Sequence, residues 1–256
     1  DVNLAFLLPG AQNPLDLELD GAIAATPTTL TETTKQAVSA IQANGKKVLL
    51  SFGGGTVASE TYHQLAGNET QLAINIAHFV TDNHLNGVDI DYEDTAAFTG
   101  SAGYNGADFL INLTRALRKV LPAPQYLISH APQPPYLESG SGMDGYVQVV
   151  AEAGNDIDWL NVQFYNNPPW SANPPQIVSS YEQYAQLPGL TAEKLLIGLP
   201  VTEKDAGSGY MPVDEIISDV IQPVQAAGPL GGMMNWQFSS DPGGAWAEQI
   251  GTAIGL

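Results

Sequence analysis

The chain has 256 residues, 44% of them hydrophobic, with 27 acidic and eight basic side chains and a formal charge of −19. That charge argues against nucleic acid or an anionic membrane as partner, whereas a neutral polysaccharide would not be repelled. The absence of cysteine excludes thiol catalysis, disulfides and cysteine-bound zinc, and no apolar run is long enough to predict a membrane-crossing helix.

Taken in chain order, a short apolar run with an aromatic predicts a strand at Val2–Leu8. A helix at Thr31–Ala43 is stopped by Asn44-Gly45 and leads to a strand at Lys47–Phe52. Gln71–Asn83 carries Leu72, Ile76, Phe79 and Val80 at helical spacing and precedes a strand at Val88–Tyr92. Ala107–Val120 repeats that helical pattern with Leu110, Leu113, Leu117 and Val120, and a strand follows at Tyr126–Ser129. Further helices are predicted at Gly145–Ala153, Gln176–Gln186, Val213–Gln225 and Trp246–Ile254, and further strands at Trp159–Tyr165, Leu195–Leu199 and Gly232–Phe238. Strand alternating with helix implies an α/β fold around a parallel sheet. No linker or composition break interrupts the chain, so residues 1–256 are expected to form one domain. The Gly-rich stretch Ser51-Phe52-Gly53-Gly54-Gly55 lacks the Lys and spacing of a phosphate loop. Polar residues gather late in the strands (Ser51, Glu93, Gln163, Tyr165, Trp236), where barrel enzymes build their sites.

The segment Asn86-Gly87-Val88-Asp89-Ile90-Asp91-Tyr92-Glu93 is the most informative. On a strand, alternation would put Asp89, Asp91 and Glu93 on one face, neighbours being roughly 6.5 to 7 Å apart. Carboxylates that close repel one another and resist desolvation in the charged form. Such a trio either binds a metal or holds one carboxyl protonated for acid catalysis. The segment lacks the Gly and spacing of a calcium loop, and no His falls at ligand spacing within it.

The same residues resemble the DxxDxDxE signature of glycoside hydrolase family 18, with Asn86 standing at its first acidic position. The likeness extends in order to Val2–Leu7, Lys47–Gly54, Ala131-Pro132-Gln133, Asn161–Pro169, Ala206–Tyr210 and Gly231–Trp236, and is similar to the plant class III, hevamine-like chitinases and their fungal relatives. It implies an α/β fold of the TIM (β/α)8 type from which the first βα unit is absent. The plant enzymes carry cysteines near the segments ending here at Gln133 and Pro169; this chain has Pro134 and Trp170, so packing must hold those loops.

By this resemblance Glu93 is the general acid, Asp91 shares a proton or hydrogen bond with it and then with the substrate acetamide, and Asp89 holds Asp91. No second carboxylate stands out as nucleophile, and the resemblance implies the substrate's own N-acetyl oxygen in that role. Tyr165 and Gln163 would bond that acetamide, and Trp236 would floor the sugar site. Phe6, Gly54, Ser51, Asn166, Gln133 and Trp170 complete the expected sugar contacts. Ordinary structural roles are the alternatives for Tyr165, Trp236 and Trp170, and His130, just past its strand, is read as a hydrogen-bonded structural residue unless it tunes the acid. His63, His78 and His84 fall in or near helices.

The resemblance implies a monomeric, secreted endo-acting chitinase with no cofactor or metal. Chitin or N-acetylglucosamine oligosaccharides are its expected partners. The sequons Asn68-Glu69-Thr70 and Asn112-Leu113-Thr114 fit a secretory route, and no signal peptide is visible. Only residues 200–231 separate the last two predicted strands, which leaves no room for the insertion that walls the cleft in some members, so an open groove is expected. An endo-β-N-acetylglucosaminidase acting on the chitobiose core of N-glycans shares the same acids, and a silent chitin-binding lectin or inhibitor is the third reading.

Overall fold

The computed structural model describes every residue, Asp1–Leu256, and its contacts divide the chain into two compact units. The first unit comprises Asp1–His130 with Glu152–Asp158. It begins with β1 (Val2–Leu8), the short β2 (Glu18–Leu19), and a small ribbon of β3 (Ala24–Thr26) and β4 (Thr29–Leu30). There follow α1 (Glu32–Ala43), β5 (Val48–Gly53), α2 (Ser59–Leu65), α3 (Glu69–Asp82), β6 (Gly87–Asp91), α4 (Thr95–Phe98), α5 (Gly106–Val120) and β7 (Leu127–His130). β1, β5, β6 and β7 pair in parallel in that order, while β2 runs antiparallel along the free side of β1.

The second unit, Ala131–Ala151 with Trp159–Leu256, begins with α6 (Pro134–Leu137). α7 (Gly145–Ala153) leads to β8 (Trp159–Gln163), α8 (Pro174–Tyr184) and β9 (Leu195–Pro200). It closes with α9 (Val213–Glu215), a π-helical stretch (Ile216–Ile221), α10 (Gln222–Ala227), β10 (Gly232–Trp236) and α11 (Ala245–Ile254). β8, β9 and β10 pair in parallel.

The seven long strands match the seven apolar runs of the sequence. Their apolar runs reflect a parallel strand covered by helices, most fully in β5, where Val48, Leu49 and Leu50 are all fully buried. Side-chain caps fix the helices that carry them. Thr31 accepts from the Thr34 amide at the start of α1, and Asn105 from the amides of Ala107 and Asp108 at the start of α5. At the other end of α5, Arg118 forks onto Asp158 at 2.7 Å and onto the carbonyls of Asp156, Tyr126 and Leu121.

Two features depart from the sequence expectation. Three strands stop early, at Asp91, Gln163 and Trp236, because the chain leaves the ladder where loop residues begin. The helix predicted over Val213–Gln225 runs without interruption from Val213 to Ala227 but widens to π register in its middle, where the Gln222 amide reaches back to the Ile217 carbonyl. Pro223, which follows, has no amide and would clash with a carbonyl in regular α register; the wider turn relieves this. No helix is long and apolar enough to cross a membrane.

Candidate active site

In the first unit, register places Ser51, Asp89 and Ser129 side by side on β5, β6 and β7. Both Asp89 oxygens are engaged: Ser51 Oγ donates to Oδ2 at 2.8 Å and Ser129 Oγ to Oδ1 at 2.6 Å. The carboxylate is almost fully buried, so these charge-assisted bonds replace the water it has lost. Ser51, expected against the sugar, has its hydroxyl committed to Asp89. Ser129 was missed by sequence reasoning; the signal would have been a hydroxyl at the end of the strand after the acidic one. No group of three or more His, Cys, Asp or Glu is arranged to hold a metal ion.

Asp91 lies two residues farther on, at the last rung of β6, opposite Gly53. The glycine run matters residue by residue. Gly53 has φ +111°, its missing Cβ would collide with the Asp91 carbonyl, and the Gly54 amide donates to that carbonyl at 2.8 Å. A Cβ on Gly54 would meet the Phe6 ring at 3.0 Å, and one on Gly55 would lie 3.2 Å from Glu93 Oε2. Gly55 thus floors the space taken by the Glu93 carboxyl. Glu93 is half-buried and sits beyond the strand, so Asp89, Asp91 and Glu93 do not share one regular strand face: the last of them is held by a loop.

Behind this edge lies an aromatic cluster. Tyr62 packs on Tyr92 at 4.7 Å between ring centres, and Phe109 approaches both. The Tyr62 hydroxyl is buried with no hydrogen-bond partner. Burial first, then the charges of Asp91, Tyr92, Glu93 and Asp94, hold it well above the usual phenol range, so it remains protonated.

His130 pairs in register with Ile90 rather than with an acid. It is fully buried, its Nε2 lies 3.2 Å from Thr114 Oγ1 on α5, and burial pushes its pKa down to about 3. It is a neutral residue turned toward the helix. Asn86 sits at the far end of β6, where its Oδ1 accepts from the Val48 amide and from Gln42 Nε2. It splints two strands and is remote from Glu93.

In the second unit, Gln163 ends β8 and donates Nε2 to the Ala131 carbonyl at 2.7 Å, two residues from Gln133. Tyr165 is buried, and Gly209 packs so closely on it that a Cβ there would lie 2.7 Å from the Tyr165 Cα. Asn166 adopts a left-handed φ of 56°, and its Oδ1 accepts from the amides of Gly207 and Ser208. It clips the loop after β8 to the loop after β9. Trp170 donates its indole N–H to Ser180 on α8, which ties its ring to that helix. Trp236 ends β10 and is half-buried. Non-proline cis peptide bonds precede Phe6 and follow Trp236.

The profile of Glycosyl hydrolases family 18 matches residues 11–211. An acidic endochitinase of Phaseolus angularis is 31% identical over 255 residues, covering 94% of this chain and 77% of that protein. A crystal structure of a GH18 chitinase from Pseudoalteromonas aurantia superposes with a TM-score of 0.97 at 60% identity, covering 99% of this chain and 92% of that one. A putative chitinase A of Streptomyces coelicolor shares the fold at 22% identity and a TM-score of 0.76, over 99% and 89% of the two chains.

Proposed function

The chain belongs to Glycosyl hydrolases family 18 and is thus a glycosidase with the α/β barrel fold class of that family, and from that premise we propose that it is a secreted, monomeric, endo-acting chitinase cutting β-1,4-N-acetylglucosamine linkages with retention. Residues 1–256 act as one catalytic domain. The observation that carries the reading is the graded placement of the acids on β6: Asp89 buried and anchored by two hydroxyls, Asp91 at the strand end, and Glu93 beyond it over Gly55. Anchoring one carboxylate deep in the strand raises the cost of a second negative charge on Asp91, which favours a proton there and toward Glu93.

Glu93 delivers its proton to the glycosidic oxygen as the bond to C1 breaks. The carbonyl oxygen of the same sugar's N-acetyl group bonds to C1 and forms an oxazolinium ion, the substrate-assisted route of this family. Asp91 accepts the acetamide N–H and opposes the positive charge, with Tyr165 and Gln163 orienting the same group. Water then attacks C1 while Glu93 takes its proton, and two inversions leave the configuration retained. Trp236 and Phe6 offer apolar faces to the pyranose, with Gly54, Gln133, Asn166 and Trp170 flanking. Through the bonds described above, Ser51 and Asn166 act by holding Asp89 and the loop beside Tyr165.

Proton NMR of chitohexaose during the first turnovers tests this. Internal cleavage with the β-anomer appearing first is expected. An initial α-anomer refutes the mechanism, and release of dimers only from chain ends refutes endo action.

A further inference from the structure

Glu93 lies outside the strand ladder, so the hydrogen bonds of β6 do not fix it. Its chain neighbours are buried: Tyr92 is 1% exposed and Asp94 6%. A third residue, Tyr104, brings its hydroxyl between them, 2.6 Å from the Tyr92 hydroxyl and 2.7 Å from Asp94 Oδ2. Ser59, the first residue of α2, donates to the same Asp94 oxygen at 2.7 Å. Tyr104 donates its one hydroxyl proton to Asp94, so Tyr92 must donate to Tyr104. Gly106 at the start of α5 makes room, since a Cβ there would lie 2.7 Å from the Tyr92 hydroxyl. Phe109 packs edge-on to Tyr104, and burial followed by the bond to Tyr92 holds the Tyr104 phenol far above its ordinary range.

We propose that Tyr104 and Asp94 form a clamp that grips the residues on either side of Glu93 and fixes the acid's carboxyl for proton delivery. Both are positioning residues: they act through the backbone of Tyr92–Asp94 and touch no sugar. The inference rests on the assignment of Glu93 as acid. One hub makes the clamp economical, because the two arms that leave Glu93 in sequence meet again at a single hydroxyl. Losing the hub frees the loop while the strand and the ring packing stay in place.

The test compares Tyr104→Phe, Asp94→Asn and Asp94→Ala with the wild type, by kinetics on chitohexaose and by amide hydrogen exchange at residues 93–95. Tyr104→Phe keeps the ring and removes only the hydroxyl. Its kcat is expected to fall by about ten- to a hundredfold, with KM changed by no more than about threefold, and exchange at residues 93–95 is expected to quicken. Asn at position 94 still accepts from Ser59 and Tyr104, so it should retain most of the kcat that Ala loses. A kcat for Tyr104→Phe within about twofold of wild type, or equal losses in the two Asp94 variants, would overturn the clamp. If the wild type does not cleave the oligomer, the chitinase reading fails, and the exchange measurement still decides the clamp: unchanged exchange in Tyr104→Phe overturns it and faster exchange sustains it. If Tyr104→Phe does not fold, the Asp94 pair decides.

Discussion

Gly55→Ala should make the enzyme slower and the fold slightly more stable. An Ala methyl at this position would lie 3.2 Å from Glu93 Oε2, 3.3 Å from Oε1 and 3.4 Å from Cδ. Comfortable contacts are about 3.5 Å or more, so the carboxyl must withdraw by a few tenths of an ångström. A displacement of about 1 Å in a reacting group costs on the order of a hundredfold, so a threefold to tenfold loss of kcat is expected, about 0.7 to 1.4 kcal/mol. Gly55 is exposed and outside the left-handed region, so Ala there restricts the unfolded chain without straining the native one. That should contribute about 0.4 to 1 kcal/mol, or roughly 1 to 3 °C in melting temperature. The assay is kcat on chitohexaose beside a thermal melt, with Gly53→Ala as contrast: its φ of +111° and the blocked Asp91 carbonyl predict outright destabilisation. An unchanged kcat in Gly55→Ala would refute the contact between Gly55 and the acid. A fall in both activity and melting temperature would show that the lost activity reflects unfolding.

Ser51→Ala and Ser129→Ala each remove a hydroxyl bond to a buried carboxylate, and each should cost about 1.5 to 3 kcal/mol in urea unfolding; a cost below about 0.5 would refute the anchoring of Asp89. Asn86→Asp preserves the acceptor for the Val48 amide and Gln42, so kcat should stay within about twofold, and a tenfold drop would mean the strand start reaches the chemistry. His130 has a native pKa of about 3, against about 6.5 unfolded, so the unfolded chain binds the proton first as the pH falls. Its contribution is complete above pH 6.5 and is lost toward pH 3, by up to about 1.4 kcal/mol per unit. Urea unfolding between pH 7 and 4 should therefore show a shallower pH slope for His130→Gln than for the wild type, and equal slopes contradict this.

The strands were legible because each is a short, mainly apolar run, buried at every position in β5 and β6, and no strict polar alternation competes with that signal. Their ends were not. Tyr92, Phe164 and Phe238 continue the apolar or aromatic character after the ladder has stopped, and composition does not record where a hydrogen-bond partner runs out. The π turn was hidden for a related reason: apolar spacing from Val213 onward reads as helix, which it is, and only Pro223 betrays the change of register. At the site, Asp89, Asp91 and Glu93 stand out in one dimension because carboxylates at alternate positions are costly. Their supports do not. Ser51 looked like a sugar contact and Ser129 like an ordinary strand end, because the meaning of either hydroxyl depends on the register that sets both beside Asp89. Tyr104 comes from a loop after α4, and nothing in the local sequence ties its hydroxyl to the residues flanking Glu93.

The central claim is that Glu93 supplies the proton that breaks the glycosidic bond. Mass spectrometry of chitohexaose products from wild type and Glu93→Gln, together with a binding titration of the variant, tests it most directly. The account predicts internal fragments from the wild type, none above background from Glu93→Gln, and oligosaccharide binding retained in the variant. Undiminished hydrolysis by Glu93→Gln would contradict it.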